Sequence, residues 1–374
     1  MKRFLSFVMR GLVLGLFVAS AGGPAVAEES PDRVILFIID GLAVGANDRI
    51  DMPHYNALKS EGVYYRTMYL PPAGHPEKNE EYPWSCSLPN PMLMSGTPFI
   101  GREGIRESLV QYSFEPKDTA FIANARGYLD VSGGFGTYVP KPSNPDSLVI
   151  DLTIEEMQKQ DFAFMRVHFQ RPGIEGMKVG REKYADEPYY QNIWHETSRY
   201  RKAVTEADKQ LGRFVDWLKA EGLWEGTVLL VCGDHGQANE GWHEPFVAES
   251  NVTPLLVVGH GVSKPAVYDY CEIFDIAPTV TDLLGRKTPP LSHGRVLAEA
   301  FDADRDAPES SRACERLNRV LLAANAVDDA QKKRLEEAGF MELDDLGRWH
   351  TTPAGVDFEA FVSQQETIFE GVNK

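Results

Sequence analysis

Within Arg33 to Ile39, RVILFII, every residue after the arginine is apolar, and the run stops at Asp40-Gly41. A run with no polar alternation suits a strand buried on both faces, as in the middle of a parallel sheet. Thr227 to Cys232 (TVLLVC) repeats the pattern and stops at Gly233-Asp234-His235-Gly236. Pro254 to Val258, Leu148 to Asp151 and Phe162 to Phe169 read as further strands. Between Tyr200 and Glu221 the spacing changes: Val204, Ala207, Leu211, Phe214, Val215 and Leu218 recur with a helical period, and Gly222 ends the run. A shorter helix is expected over Ile276 to Leu284, opened by Asp275 and closed by Gly285. Strands alternating with helices predict an α/β fold with a mostly parallel central sheet flanked by helices.

The segments between are less regular. Ser132 to Pro145 is rich in Gly, Pro and Ser and reads as loop, as does Pro71 to Asn90. The first 27 residues have a basic start, an apolar stretch from Gly11 to Ala19, and small residues at Ala25 and Ala27. This is the pattern of a secretory leader cleaved after Ala27, so an exported, periplasmic or secreted protein is expected. No later segment reads as a membrane span. Residues 28–300 form the expected α/β domain. Residues 301–374, acidic and Ala-rich without a strand pattern, form an expected helical extension.

Charge narrows the function classes. The net charge is −17, and loss of the leader, which carries Lys2, Arg3, Arg10 and no acid, takes it to −20. A chain this acidic is unsuited to sequence-independent nucleic-acid binding. The four cysteines (Cys86, Cys232, Cys271 and Cys314) form no CxxC pair, which argues against a Cys-based zinc site. Nothing in the pattern speaks to oligomeric state.

Asp40 ends one buried strand and Asp234-His235 ends another, so both fall at one edge of a parallel sheet. Ligands bind at that edge in α/β folds. Alone, either Asp could be a helix cap or a turn residue. Together, two carboxylates and an imidazole make a mixed oxygen and nitrogen donor set for a divalent metal. Imidazole tilts the choice toward zinc or manganese.

The pair VILFIIDG and LLVCGDHG resembles the alkaline phosphatase superfamily, in its sulfatase and nucleotide pyrophosphatase/phosphodiesterase branch. The helix leading into DHG, Glu249 to Leu255 (ESNVTPL) and Asp275 to Gly285 (DIAPTVTDLLG) resemble the same branch. The resemblance spans about residues 33 to 297. It implies a metal-dependent hydrolase of small anionic phosphate or sulfate esters. Asp40, Asp234 and His235 are then metal ligands. Zinc is the first expectation, with calcium, magnesium or manganese also used in the family. The implied nucleophile lies within Tyr82 to Ile105. Counting back from Ser95-Gly96 lands on Cys86, whereas the phosphodiesterase-like T-x-P-N pattern matches Ser87-Leu88-Pro89-Asn90. The formylglycine motif C/S-x-P-x-R is broken in both frames, by Leu88 and Asn90 or by Pro91. That favours a phosphate ester over a sulfate ester.

The family's two-metal pattern P-D-x-x-G-H-x-x-G corresponds to Pro172 to Gly180, where Gly173 and Met177 replace the ligands. A single metal is therefore favoured. His293, in PPLSHGRVL, resembles the family's later metal ligand and stands as metal or substrate contact. Glu175 or His168 could complete a remodelled site, or Arg166, Arg171 and Lys178 could supply positive charge instead. Asn90, Arg171 and His168 are the expected substrate contacts. His243 resembles the His that follows DHG in sulfatases, as leaving-group acid or substrate ligand. A metal-binding protein without turnover, and a transferase to an acceptor other than water, remain as other classes.

Overall fold

The computed structural model describes residues 30–71, 109–125, 128–243, 247–290, 292–302, 307, 308, 310–343, 349, 350 and 357–373. The expected leader, Cys86, Ser87 and Asn90 lie outside the described residues. Nine strands build the central sheet: β1 (Arg33–Ile39), β2 (Val63–Tyr69), β3 (Thr119–Ala123), β4 (Thr137–Pro140), β5 (Phe164–Phe169), β6 (Thr227–Cys232), β7 (Val252–Gly259), β8 (Ala266–Tyr268) and β9 (Cys271–Glu272). Their order across the sheet is β4-β3-β5-β1-β6-β7-β2-β8, with β9 also on β2. Pairing is parallel except at β7, which runs antiparallel to both β6 and β2.

The pleat of β1 explains its composition. Val34, Leu36 and Ile38 enter one buried cluster and Ile35, Phe37 and Ile39 the other, so none of these six positions can be polar. Each such aliphatic side chain contributes about 1.5–3 kcal/mol on burial. The helices are α1 (Ala46–Arg49), α2 (Pro53–Lys59), α3 (Leu129–Ser132), α4 (Asp146–Lys159), α5 (Arg171–Val179), α6 (Arg199–Ala220), α7 (Ile276–Leu283), α8 (Ala313–Asn325), α9 (Asp329–Glu337) and α10 (Phe358–Val372). Residues of α2, α4, α5 and α6 fill the second cluster, and those of α7 to α10 the first. The sheet is thus the middle of three layers. The tail helices share its core through Leu317, Leu321 and Val362.

Helix α6 follows its sequence signal closely. Ser198 caps it by accepting from the Tyr200 amide, and Gly222 leaves it at φ 71°. Its buried Asp208 accepts from the His54 and Tyr55 amides at 3.1 and 2.6 Å, holding the start of α2. Helix α7 differs in one detail. Asp275 makes no cap to it, and its carboxylate accepts from the Glu272 and Arg295 amides instead.

Three expectations are corrected. Leu148 to Asp151 is helical, inside α4, because Val149, Ile150 and Thr153 form one buried helical face and the apolar run is too short to reveal its period. Ser132 to Pro145 is not all loop, since it holds β4 at the sheet edge. An edge strand packs on one side only and needs no apolar run. The tail carries, besides its helices, an antiparallel pair of two-residue strands, Glu342–Leu343 and Trp349–His350, too short to leave a pattern. Among the described residues, no helix is long and apolar enough to cross a membrane.

Candidate metal centre

Parallel pairing of β1 with β5 and β6 brings three strand ends together. The register sets Ile38 against Cys232 and Ile39 against Phe169. Asp40 and Asp234 therefore emerge side by side. Gly41 turns the chain at φ 65°, a conformation suited to glycine, and its amide donates to Asp234 Oδ1 at 3.2 Å. The His235 amide donates to the same oxygen at 3.1 Å. His235 Nε2 lies 3.6 Å from Asp40 Oδ1 and 3.8 Å from Asp234 Oδ1. One donor atom from each of the three residues falls within 4.8 Å of the others, and all three residues are buried.

The imidazole is prepared for a ligand's role. His235 Nδ1 sits 2.7 Å from the Gly236 carbonyl, which only accepts. The ring proton is therefore on Nδ1, and Nε2 turns its lone pair toward the carboxylates. Two hard oxygen donors, one imidazole and deep burial fit a divalent cation such as zinc or manganese. Electrostatics agree. Burial, and then the charge of Asp234, push Asp40 well above the usual carboxylate range. Burial also works to raise Asp234, but His235, His168, the Gly41 amide and Arg166 outweigh it and hold that carboxyl at about 2.

Of the other expected site residues, His168 joins this group. It is fully buried on β5, with Nε2 3.3 Å from Asp40 Oδ2 and 3.8 Å from Asp234 Oδ2. Burial, with Arg166 and His235 nearby, pulls its pKa down to about 3. His243 stacks on His235 with ring centroids 4.1 Å apart, and burial, then His235, lower it to about 3. Trp242 lies parallel to His243 at 5.4 Å and is held at φ 72°. His293 is not brought in. It is exposed, and the described cluster of metal-capable groups does not include it.

Helix α5 takes the place expected for a second set of ligands. Gly173 packs so closely on Asp40 that a Cβ there would lie 1.8 Å from Asp40 Oδ1. Glu175 is drawn elsewhere: its carboxylate accepts from Lys178 Nζ at 2.8 Å and Arg199 Nε at 2.7 Å, with Arg171 Nε at 3.7 Å. Arg171 and Lys178 thus direct their charge to Glu175, and Arg166 is the expected cation that reaches the centre. Sequence reasoning missed Tyr128, whose hydroxyl is 2.7 Å from His168 Nε2 and 3.4 Å from Asp40 Oδ2. A single Tyr ahead of a short helix carries no local signal of that contact.

The start of α5 is itself fastened. Asn124 Oδ1 accepts from the Gln170 amide at 2.7 Å, and Asn124 Nδ2 donates to Asp146 Oδ1 at 2.6 Å. Burial pushes Asp146 up to about 7, against the help of Asn124 and Arg171. In the unfolded chain the same carboxyl ionises near pH 4. Its contribution to stability is full at lower pH and is lost as pH rises through about 7. Asp146→Asn removes that titration. The melting temperature of the variant minus that of the parent is expected to climb between about pH 4 and 7 and to level off above that. A constant difference across that range would contradict the assignment.

A family model described as Sulfatase matches residues 100–286, half of the 374 residues. The chain belongs to the sulfatase family. The match includes Asp234, His235 and His243, while Asp40 joins them through the fold. Among solved structures, a protein in complex with its substrate D-glucosamine-2-N,6-O-disulfate aligns at TM-score 0.58 and 14% identity, over 75% of this chain and 82% of that one. The phosphonate monoester hydrolase of Silicibacter pomeroyi aligns at TM-score 0.54 and 16% identity, over 75% and 78%. These likenesses show the alkaline phosphatase-like fold. In sequence, 102 residues are 41% identical to the 2,3-bisphosphoglycerate-independent phosphoglycerate mutase of Desulforudis audaxviator. That stretch is 26% of this chain and 19% of the mutase, so the chain spans about a fifth of that relative. The sulfatase family sits in a superfamily of divalent-metal-dependent hydrolases and mutases of phosphate and sulfate esters.

Proposed function

We propose that this sulfatase-family chain is an exported, divalent-metal-dependent hydrolase of small phosphate esters, with sulfate esters as weaker substrates. The observation that carries the reading is the buried set of Asp40, Asp234 and His235, with the His235 proton fixed on Nδ1 so that Nε2 can ligate. A divalent ion held there supplies Lewis-acid polarisation of the ester and lowers the pKa of a coordinated hydroxyl or thiol. The nucleophile is Ser87 or Cys86. Its oxygen or sulfur bonds to phosphorus as the alcohol leaves with the bridging oxygen, and water later hydrolyses the enzyme ester. His243, stacked on His235, and Asn90 contact the substrate oxygens. The broken formylglycine motif supports the phosphate reading. Transfer to an acceptor other than water is the second reading, supported by the mutase relative.

The test uses mature protein beginning at Glu28 and a panel of aryl phosphate monoesters, diesters, phosphonate monoesters and sulfates. Turnover is expected on a phosphorus ester and should vanish in Ser87→Ala or in Cys86→Ala. Turnover that survives both changes rejects the nucleophile assignment. Formylglycine in a peptide spanning Cys86 would reverse the order of phosphate and sulfate.

A further inference from the structure

Two histidines face the same carboxylates with opposite ring polarity. His235 carries its proton on Nδ1, as the Gly236 carbonyl requires. At His168 the requirement is reversed. Its Nδ1 lies 3.1 Å from an Arg166 guanidinium nitrogen, a group that only donates, so Nδ1 accepts. The neutral His168 ring then carries its hydrogen on Nε2, the nitrogen that faces the metal centre. A protonated ring nitrogen cannot ligate a cation.

That hydrogen has two acceptors in reach, Tyr128 Oη at 2.7 Å and Asp40 Oδ2 at 3.3 Å. A Tyr128 hydroxyl that accepts from His168 is free to donate its own hydrogen to Asp40 Oδ2, 3.4 Å away. The chain of donors ends on Oδ2, and His168 Nε2 lies 3.3 Å from the same oxygen. The other oxygen, Oδ1, is the one that faces His235 Nε2. All three partners are buried, and the Arg166 guanidinium lies 5.1 Å over the Tyr128 ring and 4.6 Å over Phe121. Arg166 and His168 share a face of β5 because they are two residues apart. We propose that Arg166, His168 and Tyr128 form a donor relay that fixes the Asp40 carboxylate with Oδ1 toward the metal. The relay sets metal affinity, and His168 is a positioning residue and not a fourth ligand. This inference rests on the metal-centre reading above.

The experiment measures metal binding, not turnover. Metal-stripped mature protein is titrated with Mn²⁺ and the free ion counted by electron paramagnetic resonance. Zn²⁺ is measured by competition with a chromophoric chelator. Tyr128→Phe, which keeps the ring packing, and His168→Ala are expected to weaken binding by about ten- to hundredfold. His168→Gln, whose amide can donate where Nε2–H did, should recover a large part of that loss. Metal-free melting curves confirm that each variant is folded. Affinity within twofold of the parent in folded Tyr128→Phe overturns the relay. Equal loss in His168→Gln and His168→Ala overturns the positioning role and makes His168 a ligand. A parent protein that binds neither ion rejects the metal centre itself, and the relay with it.

Discussion

Asp234→Ala is expected to release the metal and remove turnover together. Asp234 is buried, and His235, His168, the Gly41 amide and Arg166 favour its ionised form against that burial. It also anchors the centre mechanically, since its Oδ1 accepts from both the Gly41 and His235 amides. The substitution thus deletes a ligand and frees the backbone on each side of the remaining two. Lewis-acid stabilisation is worth several kcal/mol, so kcat/KM should fall by about a thousandfold or more. Elemental analysis of the purified variant, run beside the kinetics, checks both halves. Retained metal stoichiometry would refute the assignment whatever the rate does.

Gly173→Ala should be nearly as damaging, although it removes no functional group. The added Cβ would lie 1.8 Å from Asp40 Oδ1 and 2.7 Å from its Cγ, far inside contact distance. Either the carboxylate leaves the cluster or the first turn of α5 retreats. That turn has little room to retreat, because Asn124 holds the Gln170 amide just before it. Metal affinity is therefore expected to drop as far as in Asp40→Ala, while the far-ultraviolet spectrum stays native. Gly371→Ala serves as control, since its Cβ would meet nothing within 4 Å and sits within α10. Alanine there is expected to stabilise by about 1 kcal/mol at most. Unchanged metal binding in Gly173→Ala would mean that Asp40 does not ligate from its observed position.

How much of this was legible follows from the range of the interactions. β1 and β6 were readable because burial on both faces forces every residue after the first to be apolar, and the break at Asp40 or Gly233 marks the strand end. Their adjacency followed from the α/β pattern, and with it the trio Asp40, Asp234 and His235. Helix α4 was misread at its start because Leu148 to Ile150 is apolar in either periodicity. The edge strand β4 was missed because one-sided packing leaves no periodic trace. Within the site, Glu175 with Lys178 is a local pair that spacing can reveal, whereas the Arg199 that completes it comes from another helix. The role of Tyr128 depends on partners 40 and 88 residues away, and the ring polarity of His168 on the direction of its hydrogen bond with Arg166. Composition and spacing hold no record of either. The choice between Ser87 and Cys86 lies in a stretch outside the described residues.

The position of β1 has a consequence for how the chain acquires its shape. The strand is among the first described segments, yet it is flanked by β5 and β6, with Arg33 paired to Thr227 at a separation of 194 residues. The edge of β1 that pairs with β6 cannot be filled until more than half of the chain exists. Such non-local pairing raises contact order and slows folding, with loop closure preceding any reward from burial. Asp40 follows the end of this strand. The three-residue centre needs β1 beside β6, so it can form only once that long-range pairing has closed.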